Sequence, residues 1–586
     1  MRTSARTKEE LEVDAAGRWG IGRVHLGALQ PTPQLGQGGA VRVLFHGDLH
    51  NLAALRAEIQ KAGGTAASDA AGVLAALYHR EGLSSVKRLE GAFCAAILDE
   101  PQGTVTLVAD HLGSYPLYWF HTGSTFAFAS ELKAVLRAHP RPALDLETVA
   151  TIASVGFPFG EGTLAQGVRL MASATTVTYN WRNDAVTVSR YADLAGRFAQ
   201  PSLSRAEYEQ RIVGSFSTAM DHAVDGNARY GLSLSGGLDT RVLLAALDKR
   251  HIPLSTFTIG ERGCADEAIA TTLSRMVSSD HQFIELGDQY LGDLVPNMRR
   301  MVTLTDGMYI SHGFTETLAR QAFEASSFTV LLRGHVGELV KTNTAWPLHT
   351  DAQINATSSR EAFVSYLAGR LDGHYHGRTL AGVFRNAGEL FSGGYGVQAL
   401  NRAIADAPLP PADLCSYLYF HEYTRRVTVP SLEIFRDVVD VRMPFADPVF
   451  LDALTRGQRA WRENTEIHRL LIGANGKKFL GVRNTNTGAR AGAGPLEEWV
   501  FDKMNTILRR LNVYGYRHYH DFDGWMRKAF LESVERVLLA PEALAREHVD
   551  AGKTRALVAQ AKQGARDHDH VLQLLTNVEL WQQENL

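Results

Sequence analysis

The stretch RYGLSLSGGLDTRVLLAALDKR, Arg229 to Arg250, runs from a short apolar strand through Leu234, Ser235, Gly236, Gly237, Leu238, Asp239 and Thr240 directly into an apolar-periodic helix. A strand, a glycine turn and a helix in direct succession put the turn at a strand's carboxyl end and at the positive end of a helix. Two glycines let backbone N–H groups approach a ligand with no Cβ in the way, so the turn suits an anion. Asp239 adds a carboxylate beside that anion, a favourable arrangement only if a divalent cation such as Mg²⁺ bridges the two. A metal-bound nucleotide is the expected ligand. The chain has no GxxxxGK(S/T) loop and no GxGxxG between strand and helix, so neither a γ-phosphate loop nor a dinucleotide loop is supported.

Working outward, STFTIG (Ser255 to Gly260), QFIEL (Gln282 to Leu286) and FTVLLRG (Phe328 to Gly334) read as further buried strands, each after a helical stretch. Such alternation predicts a parallel sheet, with ligands at the carboxyl ends of its strands. The ends of the first, second and fourth strands are expected to converge on one site, with backbone at Phe257, Thr258 and Ile259 holding the adenine.

The glycine turn resembles the SGGxDS pyrophosphate loop of the N-type ATP pyrophosphatases, which split ATP between its α and β phosphates. At the fourth strand LLRGHVGELV resembles the LSGEGSDELFGG segment of asparagine synthetase and its relatives, the β-lactam synthetases, carbapenam synthetases and lasso-peptide cyclases. Further on, DVRMPFADPVFLDAL (Asp440 to Leu454) is similar to the same family's RVPFLDKRFLDLA. The resemblance implies that Gly334 matches a glycine of the site, that Glu338 joins Asp239 as a metal ligand, and that His335 stands where the family has a glutamate. It implies ATP and Mg²⁺ as cofactors, with pyrophosphate on Leu234, Ser235, Gly236, Gly237 and Thr240. Where the family places a lysine, this chain reads VRNTNTGARAG, so Arg483 or Arg490 is the expected replacement, and Arg241 is expected near the phosphates. Asp306, in a turn near the expected pocket, is a candidate substrate contact.

Residues 1–195 carry short alternating segments such as VRVLFHG, GAFCAAILD and TVTLVAD, which predict an antiparallel sandwich interrupted by two helices, the second capped by Ser68. FHGDLHN, AASDAAGVLAALY and ADHLGSYPLYW resemble segments of the glutaminase domain of class II (N-terminal nucleophile) amidotransferases. Such enzymes use a cysteine at position 2, where this chain has Arg2, and their first strand is expected to be absent because the matching segment, Gly22 to Ala28, lies near the start. Their glutamine pocket falls on His25, His46, Gly47 and Asp69, a vestigial site, and glutamine hydrolysis is not expected. Cys94 reads as a core thiol.

The fold class expected is therefore mixed: an N-terminal αββα antiparallel sandwich, then a parallel-sheet ATP-pyrophosphatase domain over 206–495, then a helical extension over 496–586 of unassigned role. Among 586 residues, 45% are hydrophobic and 60 basic residues balance 63 acidic ones, so no global field favours nucleic acid, and no apolar run approaches a spanning helix. Three scattered cysteines make neither a disulfide framework nor a zinc cluster, and with an N-terminus lacking an apolar signal core they point to the cytoplasm. DHDHV (Asp567 to Val571) reads as a solvated face, and RRLNVYGYRHYH (Arg509 to His520) as a helix end docked by tyrosines that forms part of a substrate-facing wall.

The activity expected is an AMP-forming ligase that adenylates a small-molecule carboxylic acid and joins it to an amine, with room for a homodimer. Two alternatives stand beside it: nitrogen transfer from an amide donor by a cysteine-independent route, and a non-catalytic scaffold. The retained Ser235, Gly236, Gly237, Asp239 and Glu338 argue against the scaffold.

Overall fold

The computed structural model describes residues 7–27, 35–38, 40–64, 67–224, 228–292, 294–310, 313–341, 351–375, 382–385, 394–520, 524, 529–565 and 568–586. Eleven described strands precede residue 195: β1 (Lys8–Val13), β2 (Gly20–His25), β3 (Leu35–Gly38), β4 (Val41–Leu49), β5 (Gly91–Asp99), β6 (Thr104–Ala109), β7 (Tyr118–Thr122), β8 (Thr125–Ala129), β9 (Arg169–Leu170), β10 (Thr175–Asn180) and β11 (Ala185–Arg190). Six form an antiparallel sheet in the order β11-β10-β6-β5-β4-β3, and three form a smaller one, β8-β7-β9.

Period-two alternation sorts the side chains of these strands to two faces. From β5, Ala95 and Ile97 pack under helices Leu52–Lys61 and Ala70–Glu81, whereas Cys94, Ala96 and Leu98 meet Trp119 and Leu117 on the other side. Beyond the small sheet, Phe120 packs with Val135, Val149 and Ile152 of helices Leu132–Leu136 and Leu146–Val155. The resulting layers are helix, sheet, sheet, helix, as expected for the αββα sandwich.

One local expectation changes. The cap of helix Ala70–Glu81 is Asp69, whose Oδ1 accepts the Gly72 N–H at 2.8 Å, so Ser68 is not the cap. A strand not read from the sequence is also present: β1 pairs antiparallel with β2, from Lys8 opposite His25 to Val13 opposite Gly20. In its sequence KEELEV, Glu10 and Glu12 lie on the half-buried face against Arg23, His25 and Arg42, and Leu11 and Val13 on the exposed one, so no inward apolar alternation marks it.

After Ser204, which caps helix Arg205–Ala223 in a capping box with Glu207, come β12 (Tyr230–Ser233), β13 (Leu254–Gly260), β14 (Asp280–Glu285), β15 (Val330–Leu332) and β16 (Asp440–Arg442). All pair in parallel, in the order β14-β13-β12-β15-β16. The fifth strand, three residues long, was beyond sequence periodicity. Helix Asp239–Lys249 and helix Glu466–Gly476 bury Val242, Leu243 and Leu471 on one side of this sheet, and helices Val295–Thr305 and Gly313–Ala325 cover the other.

The C-terminal segment belongs to the same core. Helix Asp569–Asn585 buries Trp581 completely, and Asn577 Nδ2 donates to the Gly307 carbonyl at 2.6 Å. A π-helix, Tyr419–Thr428, ties the two halves together: Arg425 Nη2 donates to the Gly160 carbonyl at 2.8 Å, Arg426 Nε to the Pro158 carbonyl at 2.6 Å, and Glu422 accepts the Gly160 N–H at 2.8 Å. No helix among the described residues is long and apolar enough to cross a membrane. In the DHDHV stretch, Asp567 lies outside the described residues, as does Arg2.

Candidate active site

The carboxyl ends of β12, β13 and β15 open into one cavity of about 570 Å³. Leu234, Ser235, Gly237, Asp239 and Thr240 line it from the glycine turn, Phe257, Thr258 and Ile259 from β13, and Gly334, His335 and Glu338 from beyond β15. Residues separated by a hundred positions meet because parallel strands bring their C-terminal ends to one edge. The turn is held by its own hydroxyls: Ser235 N–H donates to Thr240 Oγ1 at 3.3 Å, and Gly237 N–H to Ser235 Oγ at 3.2 Å. Thr258 Oγ1 donates to the Leu234 carbonyl at 2.6 Å, stitching β13 to the turn.

Gly236 acts differently from its neighbour. Its N–H donates to Asp266 Oδ1 at 2.7 Å, on the cavity wall, and a Cβ there would sit 1.9 Å from Thr485 Oγ1. Gly236, expected as a phosphate-binding amide, is not itself a lining residue: its N–H is taken by Asp266, and its lack of a side chain allows close packing against Thr485. Beyond β15, Val336 adopts φ 70°, a left-handed conformation costly for a β-branched residue. That turn brings Gly337 against Asp239, where a Cβ would lie 2.6 Å from Oδ1.

The charges are paired in a way that sequence spacing did not foresee. Asp239 Oδ2 accepts from Lys341 Nζ at 3.1 Å and Oδ1 from His468 Nε2 at 2.5 Å. Burial opposes ionisation of Asp239, but Lys341 and His468 outweigh it and hold the carboxyl well below the usual carboxylate range. Burial keeps His468 neutral, as a donor. Burial and the nearby Asp239 push Glu338 up to about 7, and its Oε2 is buried with no hydrogen-bond partner among the described residues. That orphaned oxygen beside a second carboxylate fits a cation held between Asp239 and Glu338. Arg333 Nη1 donates to Ser233 Oγ at 3.0 Å and Nη2 pairs with Glu316 at 3.1 Å, while burial and this guanidinium bring His335 down to about 3. His335 is thus an uncharged imidazole on the cavity wall. Arg509, His518 and Tyr519, from the basic-aromatic run, line the same cavity, whereas Tyr514 of that run is exposed.

Other candidates lie elsewhere. Arg241 is fully buried and points away from the cavity, donating to the carbonyls of Val482 and Arg483 at 2.7 Å and of Gly236 at 3.1 Å. It anchors the turn to the following loop. Arg483 donates to the Gly515 carbonyl at 2.6 Å and stacks over Tyr516, and Arg490, 63% exposed, forks onto Glu497 at 2.6 and 2.7 Å. Neither lines the cavity; the guanidiniums that do are Arg333 and Arg509. Asp306 is buried in a left-handed turn and accepts the N–H groups of Leu132 and Lys133 at 2.8 and 3.1 Å, capping a helix of the other half. Its placement is structural, not substrate-facing. Lys341 follows Glu338 by three residues on one short 3₁₀ turn, a spacing that could have flagged it, whereas nothing local to His468 links it to Asp239, 229 positions away.

His25 and His46 line a second cavity of about 300 Å³ between the two halves, together with Arg23, Cys94, Tyr115, Glu433 and Arg436. Glu10 of β1 accepts from both Arg23 Nη2 and His25 Nε2 at 3.1 Å. Burial, with Arg23 and Arg436 behind it, lowers His46 to about 3, and burial pushes the Cys94 thiol up to about 12. Asp69 and Gly47 do not line this cavity: Asp69 caps its helix, and Gly47, at φ 119°, lies where a Cβ would meet the Ala92 carbonyl at 2.2 Å.

A glutaminase-like sandwich joined to a parallel sheet with an SGGxD turn defines a class of amidotransferase-like, ATP-pyrophosphatase-type proteins. Residues 18–192 match the family of glutamine amidotransferase domains, and residues 212–369 match asparagine synthase. The two halves of the chain are thus similar, in this order, to the glutamine amidotransferase and asparagine synthase domains that the asparagine synthetases are made of. The chain is 27% identical over 243 residues to asparagine synthetase (glutamine-hydrolyzing) 3 of Bacillus subtilis, covering 40% of this chain and 39% of that protein. It is 27% identical over 252 residues to a putative asparagine synthetase (glutamine-hydrolyzing) of Mycobacterium tuberculosis, 41% of this chain and 38% of the relative, and 28% identical over 262 residues to asparagine synthetase (glutamine-hydrolyzing) 2 of Arabidopsis thaliana, 41% and 39%. The matching segments thus span about two fifths of these relatives' length.

Proposed function

We propose that this chain is an ATP-dependent, AMP-forming ligase that adenylates a small-molecule carboxylic acid and joins it to an amine, without hydrolysing glutamine itself. The observation that carries this reading is the convergence of the Ser235–Thr240 turn, the β13 backbone and the Asp239 and Glu338 carboxylates on one cavity. ATP binds with adenine along Phe257, Thr258 and Ile259, and with its pyrophosphate on Ser235, Gly237, Thr240 and the helix N-terminus behind them. Mg²⁺ held by Asp239 and Glu338 would neutralise the pyrophosphate leaving group.

The substrate carboxylate attacks the α-phosphorus as the bond to the bridging oxygen breaks, giving an acyl-adenylate and pyrophosphate. The amine then attacks the acyl carbon and expels AMP. The proton that the amine loses passes to water, because His335, held down to about 3 by burial and Arg333, is too weak a base to keep it; Arg333 and Arg509 balance the charge on the adenylate. Lys341 positions and balances Asp239 from behind. For the first half, the absence of glutamine hydrolysis is supported by the Cys94 thiol, which is buried and held protonated, and by the charged groups that occupy the interdomain cavity.

Incubation with ATP, Mg²⁺ and panels of carboxylic acids with and without amines tests the proposal. AMP and pyrophosphate should appear together in the wild type and vanish in Asp239→Asn, and glutamine alone should yield no glutamate. Turnover surviving in Asp239→Asn, or no AMP with any acid, overturns it.

A further inference from the structure

A second cluster of ligating side chains lies on the seam between the two halves, apart from the nucleotide cavity. His50 follows β4, His222 sits in the last turn of helix Arg205–Ala223, and Asp447 caps helix Pro448–Thr455. Asp447 divides its two oxygens: Oδ1 accepts the Val449 N–H at 2.9 Å, and Oδ2 faces both imidazoles. His222 Nδ1 lies 2.7 Å from Oδ2 and His50 Nδ1 lies 3.0 Å from the same atom. The His50 nitrogen is buried yet not aligned for a hydrogen bond, and the two rings stack with centroids 4.6 Å apart. All three ligating atoms lie within 4.8 Å of one another.

The two imidazoles present the same ring nitrogen, Nδ1, to one carboxylate oxygen, and one cation at their common focus satisfies all three. Ligands bound to a tetrahedral Zn²⁺ at about 2.0–2.1 Å stand roughly 3.3 Å apart, so the ring nitrogens need retreat from the carboxylate by only a few tenths of an ångström. Two imidazoles and a carboxylate form a borderline ligand set that suits Zn²⁺ over Mg²⁺ or Ca²⁺, with a fourth position left for water. The adjoining cavity of about 40 Å³ has room for that water. The Val449 N–H on Oδ1 supplies the outer-shell hydrogen bond that fixes a ligating carboxylate.

We infer that His50, His222 and Asp447 form a binding site for a zinc-like divalent cation that clamps the glutaminase-like half to the synthetase half. Tyr115 and Arg436 line both this pocket and the interdomain cavity, so the clamp fixes the wall that the two halves share. The site does not depend on the ligase reading, because none of its ligands lines the nucleotide cavity.

Full-length protein stripped with a chelator and titrated with Zn²⁺ against a chromogenic competitor should take up one tight equivalent, and Zn²⁺ should raise its Tm. His50→Gln and His222→Gln should each weaken that equivalent by more than roughly a hundredfold, beyond what loss of an outer-shell partner costs, and abolish the Tm shift. Asp239→Asn should keep both, which separates this site from the nucleotide cavity. X-ray absorption on the zinc-loaded wild type needs no variant: it should show two imidazoles and no sulfur. No tight equivalent, an equivalent retained in both histidine variants, or a sulfur-containing shell overturns the inference.

Discussion

Lys341 Nζ lies 3.1 Å from Asp239 Oδ2, while Asp239 Oδ1 takes the His468 N–H at 2.5 Å. The carboxylate assigned to the cation is thus already balanced by an ammonium from the next loop of the same site. Lys341→Met leaves Asp239 and Glu338 as two buried carboxylates with no cation behind them. Pyrophosphate release should fall by about a hundredfold, and stability should drop by about 3 kcal/mol, the scale for breaking one buried ion pair. A coupled assay for pyrophosphate and a thermal melt check both; unchanged release would remove Lys341 from the site's machinery.

Gly236 faces Thr485 so closely that an added Cβ would sit 1.9 Å from Oγ1. Gly236→Ala should displace the turn and weaken ATP binding by tenfold or more. Adding Thr485→Ala should recover part of that loss, because it removes the Oγ1 clash. Calorimetric titration of the single and double variants with ATP and Mg²⁺ reads the coupling, and strict additivity would rule out the steric account.

Arg490 is a solvent-facing partner of Glu497, whereas Arg509 lines the cavity at the carboxyl ends of β12, β13 and β15. Arg490→Ala should change turnover by less than twofold, as for an exposed ion pair. Arg509→Ala should lower kcat/KM by roughly ten- to a hundredfold, about 1.4 to 2.8 kcal/mol. Steady-state kinetics on both variants decides between the two arginines.

Asp306 caps helix Leu132–Leu136 from across the seam between the halves. Asp306→Ala should therefore cost about 1–2 kcal/mol in denaturant unfolding, the scale of a lost helix cap, and leave the order of preference among acid substrates unchanged. A changed preference would return Asp306 to the substrate pocket.

His421 is buried beside Arg197, Arg190 and Arg425, and neither ring nitrogen has a hydrogen-bond partner among the described residues. Burial first, and those guanidiniums second, hold its pKa well below 6.5. The folded state keeps the ring neutral while the unfolded chain takes up a proton as pH falls below about 6.5, so the unfolded state binds more protons and stability falls with decreasing pH from there. His421→Gln should flatten the loss of Tm between about pH 6.5 and pH 5. Parallel slopes for the two proteins would show that another group sets the acid limb.

Much of this architecture was legible along the chain because strand, turn and helix signals are local. The Ser235–Thr240 turn, the cavity-lining Phe257–Ile259 and the position of Glu338 follow from short segments whose order fixes the carboxyl edge of a parallel sheet. What escaped were elements with no apolar period: β1, whose half-buried face carries the ion-paired Glu10 and Glu12, and β16, too short for periodicity.

By itself, then, the sequence determined the two fold classes, the glycine turn and the pair of carboxylates, because backbone conformation and hydrophobic period are encoded over a few residues. Only the tertiary structure decided which side chains complete the site. Arg241, adjacent to the turn in sequence, points into the protein because helix rotation turns it from the ligand, and Lys341 and His468 reach Asp239 because packing, not spacing, sets the distance between charges. The same packing brought His50, His222 and Asp447 together across the seam, three residues that no local pattern connects.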